Sequence, residues 1–89
     1  MEVLEVGKTQ ALQGSNLAPN TQHTFSINGN FRDDDIILCQ LNLSGADARN
    51  TFERASISQG NAYINFIYTG SQFGNTVWIS YYYMVVRPT

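Results

Sequence analysis

Apolar and polar residues alternate with a period of two over most of this chain, the spacing of strands with one buried face. His23, Phe25 and Ile27 are offset from Gln22, Thr24 and Ser26. Ile37, Cys39, Leu41 and Leu43 share one phase, while Gln40 and Asn42 mark the other as wetter. Ala62, Ile64, Phe66 and Tyr68 form the inward phase of another strand, and Phe52 to Ser58 reads as a less regular one. Turn and loop signals separate these runs: Asn28-Gly29-Asn30, Ser44 to Ala48, Gln59-Gly60-Asn61 and Thr69 to Asn75. No window sustains a helical apolar period. The pattern predicts an all-β fold, an antiparallel β-sandwich of about six to eight strands.

The two ends depart from simple alternation. Residues 2–6 predict a short strand, but residues 7–21 hold Gly7, Gly14 and Pro19 with few large apolar side chains. They read as an extended N-terminal arm, able to cross to a neighbouring subunit, with Ala11, Leu12, Leu17 and Ala18 as docking contacts. The chain therefore divides into an N-terminal strand and arm (1–21) and a sandwich domain (22–89). The last strand, from about Thr76 to Val86, is apolar in both phases. Val77, Ile79, Tyr81, Tyr83 and Val85 alternate with Trp78, Tyr82, Met84 and Val86. One set faces the domain's own core, and the other is left on an outer face, with residue types enriched in interface cores.

Composition sharpens this. Charged residues are 13 % of the 89 positions, and the net charge is −2. The cations Lys8, Arg32, Arg49, Arg54 and Arg87 are scattered, so the clustered footprint of a nucleic-acid binder is missing. No apolar run approaches the ~20 residues of a membrane helix, and the acidic start does not resemble a signal peptide. These features predict a soluble product made in a cytoplasm, with neither nucleic acid nor membrane as partner. Cys39 is the only cysteine, so no internal disulfide staples a domain this small. Oligomerisation or docking on a larger body is the remaining means of stabilisation.

Candidate chemistry is sparse. Asp33-Asp34-Asp35 is the only acidic cluster, but consecutive carboxylates lack the spacing of a calcium loop. They read as a solvated loop whose first Asp caps a turn. His23 is the only histidine and lies in phase with Phe25 and Ile27, so it reads as structural. Cys39 reads as a small core residue. No nucleophile elbow or phosphate loop occurs. Asn42-Leu43-Ser44 matches a glycosylation acceptor without a secretion signal to support its use. No enzyme, cofactor or metal site is expected.

The stretch from Thr24 to Val86 resembles a small β-sandwich domain of tailed-bacteriophage virion proteins. The similarity lies in the strand Asp35-Ile36-Ile37-Leu38-Cys39-Gln40-Leu41 and the hairpin Ala55-Ser56-Ile57-Ser58-Gln59-Gly60-Asn61. It continues through Ala62-Tyr63-Ile64-Asn65-Phe66 and the terminal strand Thr76 to Val86. The resemblance covers about 70 % of the chain. It implies a non-enzymatic capsid decoration or cement protein on the virion exterior. Such a protein would be a homo-oligomer, expected to be a trimer, that clamps the major capsid protein or another virion protein. The interface residues expected are Val3, Leu4, Leu12 and Leu17 in the arm and Trp78, Tyr82 and Met84 on the sheet. The alternative is a host-glycan or receptor-binding module of a tail fibre, with Trp78 or Tyr82 as stacking platform.

Overall fold

A computed structural model describes residues 1–14, 17–44, 51–69 and 78–88. The strands in chain order are β1 (Glu2–Lys8), β2 (Leu12–Gln13), β3 (His23–Ile27), β4 (Ile36–Ser44), β5 (Thr51–Ser58), β6 (Asn61–Tyr68) and β7 (Trp78–Arg87). They form two antiparallel sheets packed face to face, as alternation predicts. In one, β7 is central, with β4 on one edge and β1 followed by β2 on the other. In the second, β6 lies between β3 and β5. The expected loops over 44–48 and 69–75 fall outside the described residues apart from Ser44 and Thr69, as do Thr76 and Val77.

The core lies where the inward phases meet. Phe25 and Ile27 of β3 and Ala62, Ile64, Phe66 and Tyr68 of β6 face Ile79, Tyr81 and Val85 of β7, and all are buried. Phe25, Phe66 and Tyr81 form an aromatic cluster with centroids 5.6–6.0 Å apart, in stacked, tilted and edge-on arrangements. The β5–β6 turn is tight because Gln59 and Gly60 both take positive φ, 52° and 86°, as a two-residue hairpin with the right twist requires. The Asn28–Phe31 turn is fastened to it: Phe31 N donates to Gly60 O at 3.0 Å, and Gly29 N donates to Asn61 Oδ1 at 3.2 Å.

The N-terminal segment differs from the sequence expectation. Glu2–Lys8 and Leu12–Gln13 do not stand apart as an arm but pair with β7 and supply the outer edge of its sheet. Periodicity conceals this because the pairing is irregular. One register shift falls between Val3 and Glu5, and from Lys8 to Leu12 the segment advances four residues while β7 goes from Tyr82 to Ile79. Each bulge reverses which phase faces inward. At the break Thr9 N donates to Tyr81 O, and Tyr81 N donates to Thr9 Oγ1, both at 2.9 Å, so a hydroxyl replaces a backbone carbonyl in the ladder. Gly7 lies opposite Tyr83, whose ring covers it so closely that a Cβ there would sit 2.6 Å from the phenol oxygen. Further on, the segment is pinned to the core. Leu17 is buried, its carbonyl accepts from Tyr68 Oη, and Asn20 N donates to Tyr68 O at 2.8 Å. Asn20 takes φ 60° after Pro19, the backbone of a turn that suits those two residue types.

Candidate functional site

The expected interface residues separate into two groups. Leu17 belongs to the chain's own core, and Leu12, paired with Ile79, packs against that core. Leu4 occupies the β1 bulge and is half-buried. The remaining four gather on one surface. Pairing places Val3, Val86 and Ile36 in one row across β1, β7 and β4, and Val6, Met84 and Leu38 in the next. Lys8, Tyr82 and Gln40 form a third row, and Trp78 lies at the far end of β7 beside Gln13. Residues directly opposite in antiparallel strands share a face, so these rows build the outer side of the sheet.

This face is apolar and open. Val6 is 64 % exposed, Val3 54 %, Leu38 53 %, Tyr82 50 % and Trp78 45 %. Val6, Ile36 and Leu38 were not among the expected residues. Ile36-Ile37-Leu38, apolar in both phases, carried the signal for two of them. Val86, expected to be exposed, is buried between Val3 and Ile36 in its row. Toward the Trp78 end the face becomes polar: Ser80 is buried beneath an amide, with Asn42 Nδ2 donating to its Oγ at 3.2 Å. Lys8 supplies the charge, its Nζ 5.5 Å from the Tyr82 ring centroid, a cation–π arrangement. A shallow depression of about 350 Å³ lies between Val6, Leu38, Tyr82 and Met84.

The other chemical candidates take structural places. Of the three aspartates it is Asp35, not the first, that closes the turn: its Oδ2 accepts from Arg32 N at 2.7 Å. The same carboxylate is buried and held bidentately by Arg87, with Nε and Nη2 each at 2.9 Å. That guanidinium, aided by the Arg32 amide against the cost of burial, holds the Asp35 carboxyl down at about 2. Among the described residues no group of three His, Cys, Asp or Glu is placed to hold a metal ion. His23 Nε2 lies 3.0 Å from Ala18 O, and its ring packs near Phe66 and Tyr68. Cys39 is half-buried against the core, and burial, then the charge of Glu53, pushes its thiol up.

Comparisons with protein-family models, curated proteins and solved structures find no match for this chain.

Proposed function

We propose that this protein is a non-enzymatic structural component of a phage-type virion, a decoration or cement protein. In this reading it covers the outer face of the β1–β7–β4 sheet against neighbouring subunits on the capsid exterior. The observation that carries the reading is the row structure just described: three strands align exposed Val, Ile, Leu and Tyr side chains around half-buried Met84, with one cation and no carboxylate. An apolar patch of this kind is the usual mark of a protein contact.

Its size argues for assembly by multiplicity. Nine residues of β4 span about 30 Å, and three strands are about 15 Å wide with their side chains, which gives roughly 450 Å². A standard interface buries about 800 Å² per partner. One such contact is weak, but many symmetric copies on a shell gain avidity, and binding assembled but not dissociated shell subunits shifts the equilibrium toward the shell.

The test is co-sedimentation with assembled shells and with free capsid subunits, alongside light scattering of the protein alone. Binding to shells only is expected, with self-association to the trimer implied by the sequence resemblance. Leu38→Gln forfeits the exposed half of a leucine's transfer free energy, about 1 kcal/mol per contact, or roughly fivefold in affinity. A protein that stays monomeric and ignores shells, or a variant that binds them undiminished, defeats the reading.

A further inference from the structure

The opposite side of the molecule, the outer face of the β3–β6–β5 sheet, has a different chemistry. Register aligns Thr24, Asn65 and Arg54 in one row across its three strands and sets Phe52 beside Ile67 in the row nearer the β5 N-terminus. A groove of about 460 Å³ passes over Asn65, Arg54, Phe52 and Ile67, with Gln22 and Glu53 also lining it, a volume in the range of small-molecule sites.

Asn65 occupies the middle, and its orientation is set. Thr24 Oγ1 donates to Asn65 Oδ1 at 2.8 Å, and Gln22 Nε2 donates to the same oxygen at 3.4 Å. With the oxygen turned toward β3, the amide's two N–H groups point the other way, toward β5 and Arg54. Arg54 is exposed and makes no ion pair among the described residues. The neighbouring carboxylate belongs to the opposite phase of β5 from Arg54: Glu53 pairs with Phe66, is itself exposed and borders the groove, and its charge is felt by Tyr81 and Cys39. Beside the donors Phe52 presents an aromatic ring, 63 % exposed.

We propose that this groove binds an acidic sugar, its carboxylate on Arg54 and the Asn65 amide and the C–H face of its ring against Phe52. Fixed donors plus one cation select an anionic acceptor, and the adjoining ring selects a ligand with an apolar face. A lone arginine is too little charge for a nucleic-acid backbone. The site is on the other sheet from the assembly face, so the two proposals stand or fall separately, and any stacking platform for sugar is Phe52 rather than Trp78 or Tyr82.

The experiment is an NMR titration of the full-length, isotope-labelled protein with methyl glucuronide and a methyl sialoside, using methyl glucoside as the neutral control. Saturable shifts at Phe52, Arg54 and Asn65 are expected with at least one acidic probe and not with the glucoside. Arg54→Gln and Phe52→Ala, both at exposed positions, should each weaken binding about tenfold at an unchanged melting temperature. Trp78→Ala should leave it unaltered. No shift with either acidic probe, equal binding of the glucoside, or shifts confined to the Trp78 face overturns the proposal.

Discussion

Two buried tyrosines of the same core should respond in opposite directions to loss of their hydroxyls. Tyr81 is fully buried between the sheets, and its Oη finds no hydrogen-bond partner among the described residues. An unsatisfied buried hydroxyl costs about 1–3 kcal/mol. Tyr81→Phe removes that cost and leaves a void no larger than one oxygen, so the variant should be stabler by about 1 kcal/mol. For a domain this size that raises the melting temperature by about 4–8 °C. Tyr68 is equally buried, but its Oη donates to the Leu17 carbonyl and ties the N-terminal segment to the core. Tyr68→Phe orphans that carbonyl and should cost about 1–2 kcal/mol.

Urea unfolding followed by circular dichroism reads both, with the midpoints moving apart and the slope unchanged. The alkaline limb gives a second readout. Burial, then the charges of Glu53 and Cys39, pushes the Tyr81 phenol above its ordinary 10.0. The unfolded chain thus releases this proton before the folded one does. The group's contribution to stability is complete below pH 10 and is lost as pH rises above it, a loss that Tyr81→Phe should reduce. A destabilised Tyr81→Phe, or a Tyr68→Phe indistinguishable from the parent, refutes the reasoning.

Two further outcomes follow from the same contacts. Because Arg87 and the Arg32 amide hold the Asp35 carboxyl at about 2 against its ordinary 3.8, the stability it confers is present above pH 4 and is lost as pH falls toward 2. Asp35→Asn should lower stability at neutral pH and flatten this acid limb in a series of melts, and an unchanged acid limb contradicts the assignment. Deleting residues 1–13 strips β1 and β2 from β7 and opens a strand edge ten residues long. The truncated chain should lose cooperative unfolding and aggregate, and a folded, monomeric product would show the segment to be dispensable.

Local patterns made much of the sandwich legible. Ala62, Ile64, Phe66 and Tyr68 could only be an inward phase, and Gln59-Gly60 could only be a turn, because side-chain alternation and positive φ are properties of neighbouring residues. The apolar character of both phases of β7 likewise announced an apolar outer face. What surrounds that strand was not legible, since pairing partners are chosen over long sequence distances. The bulges near Leu4 and Thr9 break the period that would have marked the N-terminal segment as part of the sheet, so Leu12 and Leu17 read as contacts for a partner when they serve their own core.

The same distance hid the ion pair of Asp35 with Arg87, which exists only because the register sets Ile36 beside Val86. It also hid the make-up of the outer face, whose rows take one residue each from β1, β7 and β4. Sequence by itself determined strands, turns and inward phases, because these depend on the geometry of adjacent residues. Tertiary structure decided edges, register and the surfaces that rows of side chains make, because those depend on which strands come to lie side by side.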